Sequence, residues 1–127
     1  MKENNGEARS ILLVDDSMFL RKRLRQALQD EGYRLVEADN GQAALSAIEQ
    51  QNFDCVLTDL VMPRMDGFGL LAEIRKRGLP VPVVVITADI QKTTRDRCVE
   101  LGASAFLQKP VDPGSLRSTI SAMMQAR

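Results

Sequence analysis

Histidine and tryptophan are both missing from the 127 residues, and only two cysteines and one tyrosine are present. The lack of histidine excludes Ser-His-Asp and Cys-His catalysis and any histidine-ligated metal. The two thiols, Cys55 and Cys98, have no C-x-x-C spacing and cannot close a zinc site alone. Each lies in an apolar string, FDCVL or RCVEL, and reads as a buried, inert thiol. An excess of charge is also lacking, since 17 Lys+Arg stand against 17 Asp+Glu. No surplus cation is therefore available for a nucleic-acid backbone or an anionic membrane. No stretch approaches the roughly 18 consecutive apolar residues of a membrane span. The polar start, MKENNGEARS, has none of the apolar core of a signal peptide. A cytoplasmic chain with neither nucleic-acid nor membrane partners is expected.

What is present is 44% hydrophobic and 27% charged, ordinary for a globular protein. The length suits one domain, burying roughly 70% of its unfolded surface. Ile11-Leu12-Leu13-Val14 is a short apolar run followed by acids, as a buried strand would be. A helix follows over 17–31, with Leu20, Leu24, Ala27 and Leu28 at helical spacing and Gly32 placed to end it. Residues 34–38 form a more polar strand. Asp39-Asn40-Gly41 is turn chemistry, and Ala44, Leu45 and Ile48 stripe the next helix. The third strand runs over 55–58, and Asp66 can cap a helix carrying Phe68, Leu71 and Ile74 that stops near Gly78. The fourth strand, 83–86, is β-branched, and its helix over 91–101 ends at Gly102. A fifth strand over 105–107 precedes a helix opened by Asp112-Pro113 and striped by Leu116, Ile120 and Met124.

Alternating strands and helices imply a doubly wound α/β fold: a five-stranded parallel sheet with helices on both faces. Strands one, three and four are wholly apolar and belong in the centre, while strands two and five suit the edges. The order 2-1-3-4-5 satisfies this with right-handed crossovers. A disordered tail is expected over residues 1–8 and a single domain over 9–127, with no attached output module.

Open α/β sheets bind ligands at the carboxyl ends of their strands, where the order reverses. Strand one ends in Asp15-Asp16, strand three in Asp59 and strand four in Thr87, and strand five runs into Lys109-Pro110. Each residue has an ordinary reading: Asp16 a helix cap, Asp59 a turn residue, Thr87 a hydroxyl bonded to backbone, Lys109 a solvated amine. Those readings do not explain why all of them fall at one edge. Three converging carboxylates repel one another, and a hard divalent cation such as Mg²⁺ removes the conflict. A cation, an ammonium and a hydroxyl around one carboxylate suit phosphoryl transfer, with Asp59 as nucleophile forming an acyl phosphate.

The strings ILLVDDS, VLTDLVMPRMDG, VVVITAD and AFLQKPV, in this order and spacing, resemble the response-regulator receiver domain of two-component signalling, of the single-domain CheY-like kind. The likeness covers about residues 10–125. The strand order is itself that of flavodoxin and CheY, so it adds no independent support. The resemblance implies a stand-alone response regulator that takes a phosphoryl group on Asp59 and switches its interaction surface. It implies direct Mg²⁺ (or Mn²⁺) ligation by Asp16, Asp59 and the Val61 backbone carbonyl, with Asp15 acting largely through water. Lys109 would contact the phosphoryl group, and a cis peptide would join Lys109 to Pro110. Thr87 would swing onto the phosphoryl oxygens, small Ala88 would leave it room, and Phe106 would be the aromatic switch.

Val61 and Asp89 stand two residues beyond Asp59 and Thr87, where the family tunes the lifetime of the acyl phosphate. Val61 offers no polar group to attacking water, so a lifetime limited by partners is expected, and a dedicated phosphatase is among them. The donor would be a histidine kinase or phosphotransfer domain, because the chain has no histidine of its own. An output partner would meet the face of the fourth helix, fifth strand and last helix, made partly basic by Lys92, Arg95 and Arg97. The unphosphorylated chain is expected to be a monomer. Alternatives are a phosphate sink or relay intermediate without output, and a Mg²⁺-dependent aspartyl-phosphate phosphatase. Against the phosphatase, the D-x-D-x-T arrangement is absent after Asp59. Flavin binding is disfavoured by the acidic, glycine-free loop DDSMF.

Overall fold

Strand β1 (Ser10–Val14) is buried along its whole length. Successive side chains of a strand point to opposite faces, and here both faces are covered. Ile11 and Leu13 enter one apolar layer, while Leu12 and Val14 enter the other. The computed structural model describes residues 8–125. The tail expected over 1–8 therefore lies outside the described residues except for Ala8, which is exposed.

After β1 come α1 (Met18–Leu28), a 3₁₀ turn (Gln29–Glu31), β2 (Arg34–Ala38), α2 (Gly41–Gln50), β3 (Cys55–Thr58) and α3 (Gly67–Lys76). The chain continues through β4 (Val83–Thr87), α4 (Lys92–Glu100), β5 (Ala105–Gln108) and α5 (Pro113–Gln125). The sheet order is β2-β1-β3-β4-β5, every pair parallel, as the sequence predicts. β1, β3 and β4 are buried throughout, and the edges β2 and β5 are partly exposed.

The two helical layers follow from the alternation. Leu24 and Leu28 of α1 join Leu116, Ile120 and Met124 of α5 over Ile11, Leu13, Leu57 and Ile86. Ala44 and Leu45 of α2 join Leu70, Leu71 and Ile74 of α3 over Leu12, Val14 and Val56. Each fully buried Leu or Ile stabilises the fold by roughly 1.5–3 kcal/mol. Helix α4 is fastened differently, since Cys98 is its one buried side chain, packed with Leu60 and Val85. Two guanidinium–ring contacts supplement it: Arg95 lies 5.0 Å from the Phe106 centroid and Arg97 lies 3.9 Å from that of Phe68. Only part of the basic character expected for the face of α4, β5 and α5 therefore falls there. Arg97 turns to α3, Arg95 covers β5, and Lys92 pairs with Asp96 at 2.7 Å.

Caps set where the helices begin. Ser17 Oγ accepts from Leu20 N at 3.2 Å, Asn40 Oδ1 from Ala43 N at 2.8 Å, Asp66 Oδ1 from Gly69 N at 2.8 Å and Asp112 Oδ2 from Ser115 N at 2.8 Å. α1 ends earlier than its apolar pattern suggests, because the last turn tightens to 3₁₀ before Gly32 at φ 79°. β4 and β5 each extend one residue further than predicted, because Thr87 and Gln108 still pair. Among the described residues no helix is long and apolar enough to cross a membrane.

Candidate functional site

Val14 and Thr58 are register partners at the ends of β1 and β3, so Asp15 and Asp59 leave the sheet side by side. Backbone bonds hold the exit: Asp59 N donates to Val14 O at 3.0 Å, and Asp15 N to Ala38 O at 3.1 Å. One carboxylate oxygen from each of Asp15, Asp16 and Asp59 lies within 4.8 Å of the others. Asp15 and Asp59 are only 3% and 9% exposed, whereas Asp16 is open to solvent.

Lys109, just past β5, reaches back across β4 to this cluster. Its Nζ donates to Asp59 Oδ2 at 2.9 Å and to Asp15 Oδ2 at 3.1 Å. Burial works against the ammonium, but the bonds to Asp59 and Asp15 outweigh it and raise the Lys109 pKa above its ordinary value. The peptide between Lys109 and Pro110 is cis. The other oxygens of the two buried acids accept backbone N–H groups, Leu60 on Asp59 Oδ1 at 2.7 Å and Ser17 on Asp15 Oδ1 at 2.9 Å. Asp16 has no hydrogen bond or ion pair among the described residues, and the helix-cap role open to it falls to Ser17. An all-oxygen donor set with one unengaged carboxylate fits a hard cation of the Mg²⁺ type.

The remaining candidates are placed less directly. Thr87 is buried, and its Oγ1 accepts from Asp89 N at 3.2 Å, so in this state the hydroxyl bonds backbone. Ala88 is exposed in the following loop. Asp89 anchors the start of α4, with Oδ1 accepting from Gln91 N at 3.0 Å and Oδ2 from Thr94 Oγ1 at 2.7 Å. Those bonds, the Gln91 one foremost, hold the Asp89 carboxyl below its usual range. Val61 is 77% exposed. Phe106 is half-buried beneath Arg95, at the β5 edge of the sheet.

Three supporting features lay outside the sequence reading. Arg64 and Met65 adopt left-handed backbone in the loop after β3, and the start of α2 clasps them. Gly41 N donates to Met65 O at 3.1 Å and Gln42 N to Arg64 O at 3.0 Å. Gly67 passes so close that a Cβ there would collide with the Asp59 carbonyl oxygen. Finally, Arg21 Nη1 donates to the Asp15 carbonyl at 2.6 Å. The strings NG and MDG, and a lone acid late in β2, were the available signals.

Residues 11–121 match the response regulator receiver domain family. The chain belongs to that family. Receivers are signalling phosphoacceptor domains of two-component systems. This receiver is 39% identical over 111 residues to the sensor histidine kinase RcsC of Salmonella typhi, covering 87% of this chain and 12% of that protein. It is 37% identical over 115 residues to the probable transcriptional regulator ycf27 of Guillardia theta, covering 91% of this chain and 45% of that one. It thus spans less than half the length of these two curated relatives. Among solved structures, the CheY-like receiver domain protein from Methanospirillum hungatei superposes with a TM-score of 0.89 at 28% identity, covering 94% of this chain and 96% of the other. The chemotaxis protein CheY4 of Vibrio cholerae gives 0.86 at 28% identity, covering 92% and 99%.

Proposed function

We propose that this receiver accepts a phosphoryl group on Asp59 from the phosphohistidine of a histidine kinase or phosphotransfer domain, and acts as a separate switch protein in the manner of CheY4. The observation that carries this reading is the Lys109 ammonium lying between Asp59 and Asp15 inside a three-carboxylate cluster. Asp16, Asp59 and the Val61 carbonyl would hold Mg²⁺ or Mn²⁺ directly, and Asp15 largely through water. When bound, the ion supplies positive charge to the phosphoryl oxygens.

The chain's own groups do the rest. An Asp59 carboxylate oxygen attacks phosphorus, an O–P bond forms, and the N–P bond breaks with its electron pair returning to the donor imidazole. Lys109 exchanges a carboxylate oxygen for a phosphoryl oxygen, where charge gathers. The Thr87 hydroxyl gives up the Asp89 N–H and donates to the acyl phosphate, beside small Ala88. That movement disturbs the anchor of α4, the helix with least packing, and with it the Arg95–Phe106 contact on the output face. Met18 and Phe19 at the start of α1, Val61 in the loop after β3 and Ile90 in the loop after β4 are large exposed apolar residues around the same sheet edge, which supports a protein donor there. Cys55 and Cys98 are both buried, and a cytoplasmic setting is part of this reading.

Incubation with acetyl phosphate and Mg²⁺ tests the reading. One acid-stable, base-labile phosphoryl group is expected, and none in Asp59→Asn. Unchanged labelling of the variant would overturn the assignment.

A further inference from the structure

Arg21, in the second turn of α1, has a side chain only 12% exposed. It bridges two strands, donating Nη1 to the Asp15 carbonyl at 2.6 Å and Nε to Glu37 Oε1 of β2 at 2.8 Å. The Asp15 carbonyl belongs to the planar peptide that leads into Asp16. A bond to that oxygen sets the plane from which the Asp16 side chain departs. Asp16 depends on this more than its neighbours do. The carboxylates of Asp15 and Asp59 are tied by Ser17, Leu60 and Lys109, whereas that of Asp16 has no partner among the described residues.

A bare guanidinium beside an acidic cluster would compete with a bound cation. Glu37 offsets that charge, taking Arg21 and Arg25 on its two oxygens at 2.8 Å each. The Arg21 bond is the foremost cause holding the Glu37 carboxyl below its ordinary pKa range. We infer that Arg21 is a positioning residue for the cation site: it orients Asp16 through the Asp15 carbonyl, and Glu37, shared with Arg25, offsets part of its charge. The inference rests on the reading that Asp15, Asp16 and Asp59 hold a divalent cation.

The test is a Mg²⁺ titration of the full chain, followed by the backbone amide signals of Asp16 and Asp59, with melting temperatures measured alongside. Arg21→Gln is expected to weaken Mg²⁺ binding about tenfold or more and to shift the Asp16 amide even without metal. Arg21→Lys should recover part of the affinity. Glu37→Gln keeps the Asp15 bond and should lose less, by an amount that grows as ionic strength falls. Wild-type Mg²⁺ affinity in Arg21→Gln, with a melting temperature lowered as in Glu37→Gln, would show only a brace for β2 and overturn the inference. Should Arg21→Gln fail to fold, the Arg21→Gln/Glu37→Gln double variant takes its place under the same criterion. A wild-type chain that shows no Mg²⁺ response, or an Asp16→Asn variant that binds as well, would instead sink the cation reading itself.

Discussion

The Lys109 ammonium sits 2.9 Å from Asp59 Oδ2, joining two residues 50 positions apart. Coming from the far edge of the sheet, it places the one cation of the cluster against the carboxylate proposed to react. Replacing it removes charge stabilisation without altering the nucleophile. Lys109→Met is expected to slow labelling of Asp59 by acetyl phosphate about 100-fold or more, measured as initial rates at saturating Mg²⁺. An undiminished rate would remove Lys109 from the chemistry.

The same contacts make stability depend on pH at the alkaline end. The folded chain holds the Lys109 proton more tightly than an unfolded lysine does, because the bonds to Asp59 and Asp15 outweigh burial. This contribution is fully present below the unfolded value of 10.5 and is lost as pH rises through the folded value. Denaturant unfolding between about pH 9 and pH 12 should show wild type losing stability more steeply than Lys109→Met. Tyr33, raised mainly by burial, titrates in both proteins and cancels. Parallel curves would contradict the ion-pair account.

Gly67 and Gly78 make a matched comparison. A Cβ at Gly67 would collide with the Asp59 carbonyl, whereas at Gly78 it would meet nothing within 4 Å and only the φ of 73° opposes it. Gly67→Ala should destabilise by about 1–3 kcal/mol through overpacking and also slow phosphorylation. Gly78→Ala should cost about 1–2 kcal/mol and leave the phosphorylation rate alone. Urea unfolding and labelling rates on both variants check this.

Helix α4 should be the first helix to open. It buries only Cys98, and its start is held by the Asp89 carboxylate upstream of its N-cap and its face by two guanidinium–ring contacts. Native-state hydrogen exchange is expected to show its amides exchanging before those of α1, α3 and α5. Arg97→Ala should speed that exchange by the equivalent of about 0.5–2 kcal/mol. Protection in α4 equal to that of α3 would refute the idea of a loosely held switch helix.

The fold was legible because its signals are local. Burial on both faces turns β1, β3 and β4 into unbroken apolar strings, and each helix start carries a side-chain acceptor or proline within a few residues. The acids at the ends of β1 and β3 were legible for the same reason, since parallel topology sends every strand's carboxyl end to one edge. Of Lys92, Arg95 and Arg97, expected to make the face of α4, β5 and α5 partly basic, Arg95 lies over β5 and Arg97 lies against α3 instead. Arg95 and Arg97 are two positions apart, about 200° around a helix, so they leave α4 in different directions, one to Phe106 of β5 and the other to Phe68 of α3.

By itself, then, the sequence determined the layers, the strand order and which residue types crowd the reactive edge, all consequences of periodicity and chain direction. Only the tertiary structure decided who holds whom. It put Lys109 between Asp15 and Asp59, gave the Thr87 hydroxyl to Asp89, and left Asp16 to a peptide braced by Arg21. Those pairings depend on angstrom-scale distances between distant segments, and no spacing along one chain encodes such distances.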